Sequence, residues 1–426
     1  MTTRILVGDC REHMAAMELA SVDAIVTDPP YGLSFMGKGW DHGVPGVLFW
    51  AEALRVLKPG GHLLAFGGTR THHRLMVAIE DAGFEIRDCL MWLYGSGFPK
   101  SLNVALAIDK ADGAVSHRGK AFRTAGAGDR EDIQDANGRA GMAYTAPATE
   151  AAQQWDGWGT ALKPAWEPIV MARKPLGKNT VAANVTQYGT GALNIDGCRI
   201  EGEPIATVQG GKHGGGFDVG SSDGSRHSVF VNTSGRWPAN IMLDEDAAAM
   251  LDAQSGIRPG AASNGKRKGN GYGEGYGAME QTEAYRDTGG ASRFFYCAKA
   301  SRSERNKGLE GMPEVTGAEM TGREPGSAGL IGDRENRGQT ANPYANGAPK
   351  KQNHHPTVKP LALMQWLVRM VTPPGGVVLD PFGGSGSTMV AAAREGFDGV
   401  YIDLDPDYAD IARARIAGDA PLFNGE

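Results

Sequence analysis

The two ends of this chain repeat one grammar: a short apolar run rich in β-branched residues, a turn, then a segment with helical spacing. From the N-terminus, the stretches 4–7, 22–26, 62–66 and 84–94 have strand character, and 10–19, 47–57 and 72–82 have helix character. From the other end, 361–371 reads as an amphipathic helix, 377–380 as a strand, 389–395 as a helix, 399–403 as a strand and 406–416 as a helix. Alternation of this kind builds a parallel sheet with helices on both faces. Neither end alone holds enough strands to close a doubly wound sheet; together they do. The expected fold class is α/β, a doubly wound and mostly parallel sheet drawn from both ends, with a large inserted irregular region.

That insertion is visible in the glycines. The chain has 62 of them in 426 residues, about twice average usage, and most of the excess falls between roughly 111 and 345. Runs such as G-G-K-H-G-G-G-F and N-G-Y-G-E-G-Y-G carry neither a helical nor a strand period and read as long loops. Residues 167–172 (E-P-I-V-M-A) read as one more strand completing the sheet. The expected division is 1–175, with a loop insertion at about 111–160, then 176–350, then 351–426.

Other classes are excluded more simply. Cys10, Cys89, Cys198 and Cys297 are far apart, with no C-x-x-C and no histidine at ligand spacing, so neither a disulfide frame nor a metal site is expected. Met1-Thr2-Thr3-Arg4 leads into a strand and no apolar run approaches the ~20 residues of a membrane span, so a cytoplasmic protein without a membrane partner is expected. The net charge of −6 argues mildly against nucleic acid. Its distribution softens that objection: Arg258 with Lys266-Arg267-Lys268, and Arg293, Lys299, Arg302, Arg305 and Lys307, form two basic clusters. Each could meet phosphates or simply face solvent.

Two turns interrupt the grammar. The run 22–26 ends in Asp28-Pro29-Pro30-Tyr31-Gly32, where the prolines stop the ladder because they have no N–H to donate. The strand 377–380 ends in Asp380-Pro381-Phe382-Gly383-Gly384-Ser385-Gly386-Ser387-Thr388, a glycine turn into a helix. It lacks the Gly-Lys-Ser/Thr of a phosphate loop, and Met389 stands where a dinucleotide fingerprint has its third glycine. Asp403 ends the next strand, at the distance from which an acid reaches ribose hydroxyls in such folds. A tight structural turn, a nicotinamide dinucleotide site and an S-adenosylmethionine site all remain open at this point.

Taken together, T-D-P-P-Y-G, H-H-P-T-V-K-P and L-D-P-F-G-G-S-G-S-T, in that order, resemble the β-group amino-methyltransferases of DNA, which methylate adenine N6 or cytosine N4. The likeness is greatest to phage and prophage members carrying R-W-P-A-N-I and F-F-Y-C-A-K-A-S. It covers both ordered ends well and the middle only through these islands. The resemblance implies a circularly permuted methyltransferase fold, with 1–175 and 351–426 as the two parts of a catalytic domain and 176–350 as target-recognition region. It implies S-adenosyl-L-methionine as methyl donor, held by Asp380 to Thr388, with Phe382 on its adenosine side and Asp403 on the ribose. Relatives more often have Glu at the last position. Asp9 matches the acid that bonds the donor's adenine amine, and Thr357 and Lys359 match the segment beside its methionine tail, although Lys359 could equally be a surface charge.

The same resemblance gives Asp28 to Tyr31 the target base. An exocyclic amine is a weak nucleophile because its lone pair is delocalised into the ring. The Asp28 carboxylate and the Pro29 carbonyl could each accept one of its N–H groups, Pro30 would stiffen the turn, and Tyr31 would stack on a base turned out of double-stranded DNA. Trp92 and Phe98 could add a second aromatic wall, or be core. Asp before P-P-Y favours adenine N6 over cytosine N4. The competing classes are a nicotinamide-dependent oxidoreductase and a catalytically idle DNA-binding module. Relatives often dimerise, so a homodimer stays open, as does the role: restriction-modification, phage protection or regulation.

Overall fold

The structure, a computed structural model, describes residues 1–33, 43–97, 101–114, 117–118, 145–202, 205–208, 229–232, 235–259, 287–299, 303–316, 352–355 and 357–419. Phe98, Arg302, Lys266-Arg267-Lys268 and both glycine runs quoted above lie outside the described residues. Two compact units are present. One comprises Met1–Gly95, Trp166–Glu310 and His355–Glu426; the other comprises Ser96–Ala165 and Gly311–His354. In the smaller unit, helices Val104–Ala111 and Glu150–Gln154 are tied by Asp109, whose carboxylate accepts from the Ala148 N–H and from both donors of Thr149.

The larger unit is built on one sheet. Its strands in chain order are β1 (Thr3–Val7), β2 (Val22–Thr27), β3 (Leu57–Phe66), β4 (Glu85–Leu93), β5 (Trp166–Arg173), β6 (Ile241–Asp244), β7 (Tyr296–Ala298), β8 (Val377–Asp380) and β9 (Asp398–Asp403). Across the sheet they run β1-β9-β8-β2-β3-β5-β4-β6-β7. Every neighbouring pair is parallel except the two made by β5, which runs against β3 and β4. The expected α/β class, with a mostly parallel sheet, is what forms.

Strand residues alternate between two cores. Ala24, Val26, Leu64, Phe66, Ile169 and Met171 face a layer formed by helices Leu361–Val371, Ser387–Arg394 and Pro406–Asp419. Ile25, Leu63, Ala65, Val170 and Ala172 face helices Cys10–Ala15, Val47–Val56 and His72–Asp81. Burial on both faces explains why these strands read as unbroken apolar runs. Chain direction then fixes the crevice. From β2 the chain crosses through a helix to β3 on one side; from β8 it crosses through a helix to β9 on the other. Adjacent β2 and β8 therefore form the topological switch point, and ligands of open α/β sheets bind beyond the carboxyl ends of such strands.

Three local readings change. β3 starts at Leu57, not His62, running through Lys58-Pro59-Gly60-Gly61, residues of the kind that usually end an element. Gly60 takes φ +81°, and the Pro59 carbonyl accepts from Asn184 Nδ2 and Thr190 Oγ1, so the irregular backbone is still satisfied. The middle of the chain, read as loops, supplies β6 and β7 at one edge of the sheet. Several cations of the second basic cluster serve the protein itself: Arg293 pairs with Asp287, Arg305 donates to the His355 carbonyl, and Lys307 pairs with Asp419. Among the described residues, no helix is long and apolar enough to cross a membrane, and no group of three or more His, Cys, Asp or Glu could hold a metal ion.

Candidate active site

The last residues of β2 and β8 are joined by a side-chain bond. Thr27 Oγ1 donates to Asp380 Oδ1 at 2.7 Å, although the two are 353 positions apart. Asp380 also accepts from the Phe382 N–H at 3.1 Å and from Thr388 Oγ1 at 2.5 Å, and is 2% exposed. Three donors thus converge on one buried carboxyl and tie the start of the glycine turn, its far end and the neighbouring strand together. Burial nevertheless dominates, raising the Asp380 pKa to about 7 against the Thr388, Thr27 and Phe382 donors that lower it.

A pH effect on stability follows. The folded Asp380 keeps its proton up to about pH 7, whereas the unfolded chain gives it up near pH 4. As pH rises through that window the unfolded state gains, so this group weakens the fold progressively, by up to about 1.4 kcal/mol per pH unit. Asp380→Asn is expected to lack this component of the slope in chemical denaturation between pH 4 and 7. Parallel curves for the two proteins would contradict the assignment.

The turn itself leaves no room for side chains. A Cβ on Gly383 would lie 2.2 Å from the ring of Tyr401, and Gly384, at φ +49°, would meet the His355 imidazole at 2.7 Å. Tyr401 donates its hydroxyl to the Gly384 carbonyl at 2.7 Å. Arg415, 2% exposed, reaches the turn through Nη1, which lies 2.6 Å from the Ser385 carbonyl, 3.0 Å from Ser385 Oγ and 3.1 Å from Ser387 Oγ. Pro381 and Gly386 are buried with it, and Phe382 packs against Phe49, ring centroids 4.8 Å apart. At the end of β9, Asp403 accepts from the Gly384 N–H at 2.7 Å and the Asp405 N–H at 2.9 Å; burial raises its pKa. Asp9 follows β1, the strand beside β9, and caps the next helix through the Arg11 N–H. The Arg11 guanidinium lowers its pKa.

Beyond the end of β2, four polar side chains meet. Lys359 Nζ lies 2.6 Å from Asp28 Oδ2, 3.3 Å from Glu167 Oε2 and 3.2 Å from the Tyr31 hydroxyl. The Tyr31 hydroxyl lies 2.8 Å from Asp28 Oδ1 and 3.0 Å from Glu167 Oε2. Lys359, only 7% exposed, also sits 4.8 Å from the centroid of the Phe66 ring, so the surface-charge alternative for it does not hold. Burial disfavours its charge, but Asp28 and Glu167 outweigh that and raise its pKa. Two carboxylates sharing one ammonium cannot both be fully compensated, and burial raises the pKa of Asp28 despite Lys359. Pro29 is buried and Pro30 partly so, fixing the turn. Thr357 lies exposed, its N–H 3.4 Å from His355 Nδ1.

The structure therefore brings Asp28, Tyr31 and Lys359 into one cluster, with Asp380 linked to it by adjoining strand ends. The sequence reading missed Glu167 and Arg415. Glu167 shares its parity along β5 with Ile169 and Met171, which face a core, so an acid on an inward face was the available signal. Arg415 shares a helix face with Tyr408, Ile411 and Ala412, all buried. Trp92 is opposite Glu167 across the β4–β5 pair and packs on the same core as Tyr31.

Comparison with known proteins identifies the family. Residues 22–414, spanning both strand-end motifs, match the N6_N4_Mtase family, described as DNA methylase. The chain belongs to this DNA methylase family. It is 45% identical over 64 residues to YubD of Escherichia coli (strain K12), which carries a methylase name, covering 15% of this chain and 28% of that protein. It is 39% identical over 66 residues to the type II methyltransferase M.ScaI of Streptomyces caespitosus, covering 16% and 22%. The chain thus spans only about a quarter of the length of these curated relatives. Among solved structures, M1.HpyAVI with SAM gives a TM-score of 0.37 at 14% identity, covering 97% of this chain and 99% of that one. The cytosine-N4-specific PvuII DNA methyltransferase gives 0.39 at 13%, covering 97% and 86%. Scores at that level do not bear on the site.

Proposed function

We propose that the protein is an S-adenosylmethionine-dependent DNA methyltransferase acting on the exocyclic N6 of an adenine turned out of the duplex. The observation that carries this reading is the adjacency of the carboxyl ends of β2 and β8, with Thr27 bonded to Asp380, in a chain of the DNA methylase family. The glycine turn fits the methyl donor. Its backbone is bare at Gly383 and Gly384, where any Cβ would collide, and Asp403 and Asp9 stand at the ends of neighbouring strands where ribose and adenine would lie. Asp380 to Thr388 and Asp403 would hold it, with Asp9 on the adenine amine and Thr357 along the methionine tail. The donor, when bound, supplies an electrophilic methyl group on sulfonium.

The protein's own contribution is geometry. Asp28 and the Pro29 carbonyl accept the two N–H groups of the adenine amine, draw the nitrogen toward a tetrahedral shape and aim its lone pair at the crevice. Tyr31 stacks on the base, offsetting the few kcal/mol lost on leaving the duplex. No covalent enzyme intermediate is needed. The adenine preference rests on Asp, rather than Ser, before P-P-Y; cytosine N4 is the alternative target. Nucleosides from duplex DNA incubated with the protein and S-adenosylmethionine are expected to contain N6-methyladenine by mass spectrometry. N4-methylcytosine alone would transfer the reading to cytosine.

A further inference from the structure

Glu167 belongs to no part of the machinery described so far, yet it touches two of its members. Its Oε2 lies 3.0 Å from the Tyr31 hydroxyl and 3.3 Å from Lys359 Nζ, and its side chain is 23% exposed. Both of those donors also hold Asp28: the hydroxyl on Oδ1 at 2.8 Å and the ammonium on Oδ2 at 2.6 Å. The arrangement has a consequence for any ligand with an amine. Tyr31 has a single hydroxyl proton, which serves either Asp28 or Glu167 but not both. While it serves Asp28, Oδ1 is turned toward the protein.

Resting on the reading above, we propose that Glu167 is a positioning residue for Asp28, acting as the alternative acceptor that takes Tyr31 and Lys359 when the amine of the target base arrives. A turn of the hydroxyl about its C–O bond moves the donation from Asp28 to Glu167, and Oδ1 is freed to accept the amine N–H. No buried donor is stranded in the exchange, because each leaves one carboxylate for another. Glu167 has a second effect. It places a second acid close to Asp28, on the side where the nitrogen becomes cationic as it is methylated. Neighbouring groups fit this role: the phenol of Tyr94 has its pKa pushed up to about 12, by burial first and then by the Glu167 charge, and stays neutral. Among the described residues, the exchange runs through Asp28, Tyr31, Lys359 and Glu167.

The test is a comparison of wild type, Glu167→Gln, Glu167→Asp, Tyr31→Phe and the Glu167→Gln/Tyr31→Phe pair, using S-adenosylmethionine and unmethylated duplex. Glu167→Gln is expected to lower kcat roughly ten- to hundredfold, while KM for DNA, cofactor affinity and melting temperature stay near wild type. Glu167→Asp, which keeps the charge and both acceptor oxygens, is expected to recover part of the lost rate. In the Tyr31→Phe background, where no hydroxyl needs a second acceptor, the Gln substitution is expected to cost much less. A Gln variant within twofold of wild type overturns the proposal. So does an equal loss in both backgrounds, an Asp variant no better than Gln, or a loss confined to melting temperature and cofactor binding. Wild type that transfers no methyl group to any duplex defeats the parent reading, and this inference with it.

Discussion

Asp28→Ala is expected to slow methyl transfer to DNA about a hundred- to a thousandfold, with S-adenosylmethionine affinity within a few-fold of wild type. Asp28 accepts from Tyr31 on one oxygen and from Lys359 on the other, so its carboxylate is fixed in position before an amine arrives. Its removal takes away one of the two acceptors proposed to pyramidalise the nitrogen and leaves the glycine turn intact, since Asp380 keeps its own three donors. Labelled-methyl transfer under single-turnover conditions, paired with calorimetry of cofactor binding, separates the two effects. Transfer within tenfold of wild type would remove Asp28 from the chemistry.

Gly383→Ala should do the reverse, lowering cofactor affinity about a hundredfold or more. A Cβ there falls 2.2 Å from two ring carbons of Tyr401, which is 0% exposed and cannot swing away. The hydroxyl of that ring is bonded to the carbonyl of Gly384, so displacing the ring displaces the turn. Overpacking of this kind costs about 1–3 kcal/mol, which the turn absorbs by opening; 2.7 kcal/mol corresponds to a hundredfold in binding. Calorimetry without DNA reads the effect directly. Undiminished affinity would show that the donor binds elsewhere.

The parts of this molecule that were legible in sequence are those where a pattern is continuous. β2 and β8 are buried on both faces, so they appear as unbroken apolar runs, and each ends in an acid and a proline. The start of β3 was hidden because Pro59 and Gly60 normally end an element; here Asn184 and Thr190, more than a hundred residues away, satisfy the carbonyl that this irregularity frees. β6 and β7 are four and three residues long, too short for any period to emerge from glycine-rich surroundings. Lys359 is a harder case. Its position in H-H-P-T-V-K-P suggested a ligand contact, but a lysine reveals nothing locally about whether carboxylates will meet it, and its partner Asp28 is 331 positions away. Glu167 was concealed for the same reason, because its partners come from other strands and loops.

The order of strands has a consequence for how the molecule is made. β9 and β8 lie between β1 and β2, so those two strands, synthesised before the pair that separates them, have no partnership with each other. Until β8 and β9 emerge, both sides of β1 and one side of β2 present open hydrogen-bonding edges, a hazard for association with other nascent chains. A copy terminated before Val377 would retain the D-P-P-Y turn but leave the gap in its sheet unfilled.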